Sequence, residues 1–468
     1  MAAICDTARV DIGRDSRGGG QYPLLHKAIG KIMWAVLGAT WALLLGVGLL
    51  MIGNGLQSTL MGVRGSIEGF STLELSLITS GYFLGFLFGS KFAPEMIRRV
   101  GHVRVFAALG SFFSAILVLY PVLTEAWAWM ILRVAVGFCL SGIYVTSESW
   151  LNNATSSENR GRLLSAYMVV QTLGIVMAQV LVNVGDPAGF IPFIIPSVLV
   201  SLSFAPILLA VQPTPPFETA KAMSFVDLYR ASPTGFVGTV LLGGVFAALF
   251  GMASVWGASA GLSVREISTF IATIFIGAVV FQMPMGWASD RVDRRVVILS
   301  GAVIGTAAAL LGMVSSAFEL LLVAAFFYGG MANPLYSLLI AYTNDWLQPE
   351  DMAAASGRLI ALNGMGAVAG PLVTGWFIAF FGPAGFWIYL AILMAALAAY
   401  VAYRMTVRET VQQRDDSYEA TAYAPVSLTA TPVALEAAQE WYIENAEADA
   451  EAADAAAAET GTGTNAAA

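Results

Sequence analysis

Cysteine and histidine are almost absent from this chain of 468 residues, which has two of each. Cys5 lies in a polar leader and Cys139 inside an apolar segment, so they predict neither a disulfide framework nor a thiolate metal site. His26 and His102 lie outside the apolar segments and are too few for a histidine cluster. The sequence therefore predicts no metal site and no cofactor. It also disfavours a membrane-embedded enzyme, which would need a catalytic cluster.

Charge is scarce as well. Only 12% of the residues are charged and 57% are hydrophobic, with a mean hydropathy of +0.73, whereas soluble domains have about 25% charged residues. A single soluble core stops growing near ~250–300 residues, so a soluble chain of this length would need several domains. The composition instead predicts apolar surface that faces lipid. The net charge of −8 arises largely in the C-terminal tail and indicates no nucleic-acid partner.

Long apolar segments are what the sequence has in abundance. A helix needs about 20 apolar residues to cross the hydrocarbon core, and twelve segments reach that length. The first is longer than the core of a signal peptide, so we expect it to remain as an anchor. The fifth and sixth are separated only by a short hinge at Asp186-Pro187. The predicted spans are 33–60, 74–92, 104–122, 127–150, 163–184, 190–211, 235–259, 266–288, 296–315, 319–346, 358–381 and 384–404.

Lysine and arginine alternate strongly between the two sides of these spans. Of the 23 basic residues, all but three fall on the side of the termini. Arg64 and Arg265 fall on the other side, and Arg133 lies inside a span. Basic residues accumulate on the cytoplasmic side of membrane proteins, so the pattern predicts that both termini are cytoplasmic.

The two halves of the chain resemble each other. With a shift of 196 residues, Trp150-Leu151 falls on Trp346-Leu347 and Gly161-Arg162-Leu163 on Gly357-Arg358-Leu359. A proline-rich stretch, 212–216, cannot continue a helix and divides the halves. We expect two parallel repeats related by an axis along the membrane normal. The predicted regions are a cytoplasmic leader (1–32), an N-terminal six-helix half (33–211), a cytoplasmic linker (212–234), a C-terminal six-helix half (235–404) and an acidic, disordered tail (405–468).

One loop carries a strong motif. Residues 286–295, Gly-Trp-Ala-Ser-Asp-Arg-Val-Asp-Arg-Arg, lie between spans eight and nine and resemble the G-x-x-x-D-R-x-x-R-R signature of the major facilitator superfamily. The glycine permits close helix packing, and the carboxylate can cap a helix and pair with arginine. The equivalent loop of the first half, from Gly89 through Glu95 to Arg99, lacks the aspartate. An ordinary basic loop is the alternative.

Acid and arginine residues recur where spans four and ten end. We expect acid–arginine pairs there to latch the halves, although the neighbouring tryptophans are also ordinary interfacial anchors. The predicted cytoplasmic gate comprises Gly286, Asp290, Arg291, Arg294, Arg295, Gly89, Glu95, Arg99, Glu148, Arg162, Asp345 and Arg358.

Arg133 begins an Arg-Val-Ala-Val-Gly run that is similar to the R-x-x-x-G pattern in span four of the superfamily, where it is often tied to proton coupling. A buried charge in a span indicates function by default, and outward snorkelling is the alternative. Polar groups within the spans are further candidates for substrate contact, or else interhelical hydrogen bonds. The predicted coupling or substrate residues are Arg133, Asn54, Gln57, Gln171, Gln282, Asn333, Tyr336 and Asn363.

The superfamily resemblance covers roughly residues 33–404. Segments 148–151 and 159–167 also resemble its uncharacterised YcaD-like bacterial branch. The resemblance implies an all-α membrane protein of twelve transmembrane helices in two six-helix pseudo-repeat halves. It further implies a monomeric, multi-pass transporter of the bacterial inner membrane that moves a small solute by alternating access, with or without a coupled proton. A sensor or scaffold that signals through the acidic tail is the alternative.

Overall fold

A computed structural model describes the backbone of residues 22–153, 157–209 and 223–407. Within these ranges the chain forms helices joined by short turns, with no strand. The predicted all-α class is therefore confirmed. The helices are α1 (Tyr22–Ile67), α2 (Thr72–Val100), α3 (His102–Leu119), α4 (Ala126–Asn153), α5 (Ser157–Leu181), α6 (Ile191–Ser203), α7 (Ala205–Leu209), α8 (Phe225–Ala231), α9 (Pro233–Ala247), a π-helical segment (Ala248–Met252), α10 (Ala253–Ser259), α11 (Val264–Ser289), α12 (Arg294–Val314), α13 (Phe318–Asn344), α14 (Pro349–Phe381) and α15 (Ala384–Val407).

Among the described residues, eleven helical segments are long and apolar enough to cross a membrane. The remaining predicted span, 163–184, falls on α5, whose apolar stretch is limited to Ala166–Leu181. Charged residues occupy the preceding turns of α5, which shortens its apolar part. The span boundaries also differ: α1 begins at Tyr22, within the predicted leader, and α8 lies within the predicted linker. The acidic tail lies outside the described residues from 408 onward.

Two helices begin with the same cap. Ser71 precedes α2 and Ser263 precedes α11, and each forms a capping box with the glutamate three residues later, Glu74 or Glu266. In both boxes the serine N–H donates to the carboxylate at 2.8 Å. Reciprocal caps satisfy backbone donors that the first helical turn leaves free. The caps therefore fix where these two long helices begin.

Glycines bring the helices of each half together in matching pairs. Gly85 of α2 and Gly137 of α4 lie so close that a methyl group on either would meet a carbonyl oxygen of the other helix, and the same holds for Gly277 of α11 and Gly329 of α13. Both pairs, like the capping serines, are related by 192 residues. The pseudo-repeat is therefore visible in the backbone packing, with an offset that differs from the 196 residues found around Trp150.

Several described contacts join the two halves near one end of the helices. We call the helix ends near Asp290 the motif side and those near Ser71 and Ser263 the capped side. On the capped side, Asn183 beyond α5 donates to Ser268 of α11 at 3.1 Å. At three glycines of that side, an added methyl group would meet a residue of the opposite half, namely Ser254 at Gly62, Thr79 at Gly251 and Ser76 at Gly375.

Candidate functional site

Arg133 lies on α4 and is buried, with 3% of its surface exposed. It does not snorkel outward. One terminal nitrogen donates to Gln57 Oε1 at 2.5 Å, and the other lies 3.5 Å from Ser58 Oγ. The guanidinium carbon sits 4.7 Å from the centroid of the Tyr82 ring. These contacts hold the charge between α1, α2 and α4, all within the N-terminal half.

This cluster retains unused donors. Arg133 Nε and Gln57 Nε2 are buried and have no hydrogen-bond partner among the described residues. Leaving buried donors unpaired costs about 1–3 kcal/mol each, so a native protein keeps such groups only where they serve another purpose. Both donors suit an acceptor, such as a carbonyl, carboxylate or water oxygen.

A small central cavity of about 30 Å³ lies on the other side of Tyr82, with room for one or two water molecules. Its wall comes from both halves and includes Tyr82 and Phe83 of α2, Tyr336 of α13 and Asn363 of α14. The Asn363 Nδ2 is buried and has no hydrogen-bond partner among the residues that the structure describes. Two predicted candidates, Tyr336 and Asn363, therefore meet here, and Tyr82 separates them from Arg133.

A second cavity, of about 440 Å³, lies between α5, α11, α13 and the π-helical segment. It brings together three predicted candidates, Gln171, Gln282 and Asn333. Asn333 Nδ2 donates to Gln282 Oε1 at 3.1 Å. Both amide atoms of Gln171 are buried, and neither makes a hydrogen bond of good geometry to a described residue, although the Tyr167 hydroxyl lies within reach. We call this the lateral cavity.

An aromatic row separates the two cavities. The rings of Phe83, Phe246, Phe250 and Phe275 follow one another with centroid distances of 5.9, 4.1 and 4.7 Å. Phe83 and Phe246 line the central cavity, whereas Phe250 and Phe275 line the lateral cavity. Phe250 lies in the π-helical segment. Segments of this kind are rare and occur frequently at functional sites.

The other polar candidates stay in the N-terminal half. Asn54 is half-buried on α1, and its Oδ1 has no described partner. Thr59 of α1 donates to Gln179 of α5 at 3.0 Å, which is an ordinary interhelical hydrogen bond. Asn54, Thr59 and Gln179 do not line either of the two cavities described above.

The motif loop forms a network within the C-terminal half. Arg294 is buried, and its Nη1 contacts both oxygens of Asp345, the cap of α13, at 2.8 and 2.7 Å. Asp290 lies farther from Arg294, at 3.9 Å, and its side chain is 40% exposed. Arg295 pairs with Asp293 at 2.8 Å, and Arg291 stacks on the ring of Trp287. The motif therefore ties the start of α12 to the end of α13.

The predicted acid–arginine latch between the halves stays a prediction. Asp345 contacts Arg294, while Arg358 donates to the backbone oxygen of Met223 at 2.5 Å and lies over Phe225. These described contacts lie within the C-terminal half and its flanking helix α8.

Glu148 is fully buried near the motif side of α4. The Tyr167 hydroxyl donates to its carboxylate at 3.2 Å. The side chain of its predicted partner, Arg162, lies outside the described side chains. In the first-half loop, Glu95 pairs with Arg98 and Arg99 on its own helix, both at 2.6 Å and largely exposed, and Gly89 packs against Phe138 and Ser141 of α4.

Sequence reasoning missed the aromatic partners. Tyr82, Tyr167 and Phe250 carry no sequence signal of their own, because aromatic residues fill most membrane spans. The neighbouring Ser149 was also missed as the partner of the buried His102, whose Nε2 lies 2.9 Å from Ser149 Oγ. Helical periodicity shows which face of α4 carries Arg133 and Glu148. It does not show that Tyr82 of α2 and Tyr167 of α5 lie against that face, because this requires knowing how the three helices pack.

Long apolar helices in two packed halves, with buried polar groups inside the spans, indicate a multi-pass membrane protein. The sequence matches the Major Facilitator Superfamily over residues 43–233 and 235–443, and the chain belongs to that family. The predicted family resemblance is thereby confirmed.

Among curated relatives, the chain is similar to the uncharacterized MFS-type transporter YfkF of Bacillus subtilis (strain 168). The two are 26% identical over 339 residues, covering 70% of this chain and 86% of YfkF. It is also similar to the uncharacterized MFS-type transporter YcaD of Salmonella newport (strain SL254), with 26% identity over 306 residues, covering 64% of this chain and 78% of YcaD. These matches confirm the resemblance to the YcaD-like branch.

Solved structures share the fold. The nucleoside transporter NupG superposes with a TM-score of 0.63 and 15% identity, covering 78% of this chain and 98% of NupG. An inward-facing, unoccupied bacterial homolog of the human lysosomal transporter Spinster gives a TM-score of 0.60 and 16% identity, covering 86% of this chain and 96% of that protein. At this identity the likeness concerns the fold alone.

Proposed function

We propose that this transporter moves a small solute across the bacterial inner membrane by alternating access between its two six-helix halves, as a secondary active or facilitative carrier. The observation that carries the proposal is a cavity lined by both halves, with described contacts that join the halves on the capped side. Close glycine approaches and the Asn183–Ser268 hydrogen bond join them on the capped side. On the motif side, the Arg294–Asp345 contact remains within one half. Rocking of two such halves about a central site would expose that site to each side of the membrane in turn.

The Arg133 cluster supports a role in solute binding or coupling. Its guanidinium is held by Gln57 and Tyr82, and unused donors remain beside it. The Tyr82 ring contacts the charge and also lines the central cavity. A change in the charge or hydration around Arg133 is therefore transmitted directly to the wall of the cavity between the halves.

Glu148 supports a coupled proton. It is a fully buried carboxylate that accepts a hydrogen bond from Tyr167 of the next helix. A carboxylate within a span marks ion or proton pathways. Taking up a proton would remove its charge and weaken its attraction to donors of α5. We place both termini on the cytoplasmic side, as the basic residues indicate, and expect a functional monomer.

Distances between spin labels test alternating access. In a variant in which serine replaces Cys5 and Cys139, one label pair at Ser71→Cys and Arg265→Cys reports the capped side. A second pair at Arg98→Cys and Val292→Cys reports the motif side. All four positions are exposed. Distance distributions in lipid nanodiscs, measured at pH 5 and pH 8, should change in opposite senses on the two sides.

A pair within the N-terminal half, Ser71→Cys with Glu125→Cys, serves as the control and should not change. If both pairs between the halves keep one fixed distance under every pH and added solute, the rocking mechanism is wrong. If all three pairs change together, the change reflects loosening of the fold and equally contradicts rigid halves.

A further inference from the structure

The lateral cavity has a mouth that faces the membrane. Val169 of α5 and Val279 and Met283 of α11 line it and are strongly exposed, Met283 to 81%. Its inner wall is buried and includes Leu249, next to Phe250. The cavity therefore passes from an exposed helix surface to the π-helical segment in the interior.

This mouth lies near the middle of the bilayer. Val279 is fifteen residues from the start of α11 and ten from its end, which corresponds to roughly 22 and 15 Å along the helix. The hydrocarbon core is about 30 Å thick. An exposed apolar side chain at that depth contacts acyl chains, so the mouth opens to lipid.

The chemistry of the cavity walls selects its occupant. None of the described lining residues carries a charge. Most of the lining is apolar, but the amides of Gln171, Gln282 and Asn333 converge in it. Gln171 is 3% exposed, and neither amide atom makes a hydrogen bond of good geometry to a described residue, although the Tyr167 hydroxyl lies within reach of the amide. Since a buried amide without well-formed hydrogen bonds is costly, a ligand that pairs with it gains affinity. A charged ligand would find no counter-charge.

Size is consistent with a ligand. A cavity of about 440 Å³ falls within the range of roughly 300–1,000 Å³ that is typical of small-molecule sites. Few polar groups in a mostly apolar wall are also typical of such sites. The open mouth allows part of a long apolar ligand to remain in the bilayer.

We propose that the lateral cavity binds an uncharged single-chain amphiphile that enters from the lipid between α5 and α11, with its hydrogen-bonding end at the amides of Gln171, Gln282 and Asn333. This inference rests on the proposed transport function, because it identifies the bound amphiphile as the class of solute that is carried. Binding itself does not require transport. Phe250 closes the inner end of the cavity and separates the bound molecule from the central cavity.

Photolabelling in nanodiscs tests the proposal. The probe is a 1-monoacylglycerol with a diazirine in its acyl chain, which is neutral and has one polar end. Two comparison probes carry the same diazirine: a sulfonate with the same chain, and a water-soluble glycerol derivative without the chain. The neutral amphiphile should label peptides of α5 and α11 that line the lateral cavity. The charged and the chain-free probes should not.

Two variants and one control locate the site. Ala278→Phe fills the cavity and should abolish this labelling, whereas Ile276→Phe on the lipid-facing surface of the same helix should leave it unchanged. Gln171→Leu keeps the side-chain size but removes the hydrogen-bonding amide, and it should weaken saturable labelling roughly two- to tenfold. Because it also removes a buried amide without well-formed hydrogen bonds, Gln171→Leu should fold at least as well as the parent protein, which covers the case in which Ala278→Phe does not fold.

Equal labelling in the parent protein, Ala278→Phe and Gln171→Leu would overturn the proposal. Labelling spread evenly over all lipid-facing helices, or equal labelling by the sulfonate, would overturn it too. Specific labelling by the chain-free probe would indicate entry from water rather than lipid. If the spin-label distances move and labelling fails, only the amphiphile inference is wrong. If labelling is specific and the distances stay fixed, the transport mechanism is wrong.

Discussion

Arg133 lies against Tyr82, which lines the central cavity, with the guanidinium carbon 4.7 Å from the ring centroid. A desolvated cation–π contact is worth about 2 kcal/mol or more. The ring also fixes the guanidinium plane, which leaves Nη1 directed at Gln57. Charge, ring and amide thus act as a unit.

Replacing Arg133 should separate charge from geometry. Arg133→Lys keeps the charge but loses the planar fork that reaches Gln57 and Ser58 together, so we expect flux to fall by roughly tenfold, the effect of about 1.4 kcal/mol. Arg133→Ala should abolish flux while thermal stability changes little, because it removes a desolvated charge together with its contacts. Flux is measured in proteoliposomes. Equal flux in the parent protein and Arg133→Ala would show that the cluster is only structural.

The two acids around Arg294 should differ sharply in importance. Asp345 contacts this buried arginine at 2.7 Å, and removing one partner of a buried pair costs about 3–5 kcal/mol. Asp290 is 3.9 Å away and partly exposed, where a pair contributes below about 1 kcal/mol. Asp345→Asn should therefore lower the thermal midpoint of the purified protein much more than Asp290→Asn. The reverse order would contradict this assignment of the network.

Asp290→Asn should act on transport instead. Its carboxylate lies at the motif side, far from either cavity, so we expect altered cysteine accessibility at that mouth with little change in solute affinity. Normal flux with an unchanged accessibility pattern would remove Asp290 from the gate.

Glu148→Gln should uncouple transport from protons. The amide keeps the size and can still accept from Tyr167, but it carries no charge at any pH. We expect solute exchange to continue while uptake driven by an imposed pH gradient is lost. Tyr167→Phe is the matched control, since it removes the hydrogen bond and retains the carboxylate. Gradient-driven uptake by Glu148→Gln at the parent rate would exclude this carboxylate as the proton site.

Two Gly→Ala substitutions should shift the thermal midpoint in opposite directions. At Gly137 a methyl group would meet the backbone oxygen of Tyr82, and overpacking of this kind costs about 1–3 kcal/mol. At Gly357, within α14, nothing lies within 4 Å of the added carbon, and alanine favours a helix over glycine by about 1 kcal/mol. Gly137→Ala should thus lower the thermal midpoint, and Gly357→Ala should raise it slightly.

Much of the fold follows from the sequence because each span must bury its own backbone polar groups in a helix. Apolar length located eleven of the twelve spans, and α5 fell short since Arg160 and Arg162 occupy its first turns. Which side chains form ion pairs with each other did not follow from the sequence. Arg294 and Arg358 both lie in helices on the motif side, and the described contact to Asp345 comes from Arg294, because that contact depends on how α12 and α13 pack.

The set of residues that lines each cavity was even harder to predict than the ion pairs. Gln171, Gln282 and Asn333 were found as polar residues in apolar spans, but no spacing relates α5 to α11 and α13. Tyr336 and Asn363 meet for the same reason, across a helix pairing that the sequence does not encode locally. The sequence indicated the chemistry of each residue, but it did not indicate which residues would lie next to it.

The π-helical segment at Ala248–Met252 has a mechanical consequence. A π turn holds one residue more than the α turns beside it, and one residue corresponds to about 100° of rotation in an α-helix. If this turn reverted to regular α geometry, everything beyond it would rotate by that angle relative to Phe246. Phe250, which lies within this turn, would then change its position relative to Phe246 and Phe275. A change of helix type within this single turn of the seventh span would therefore rearrange the aromatic row between the two cavities.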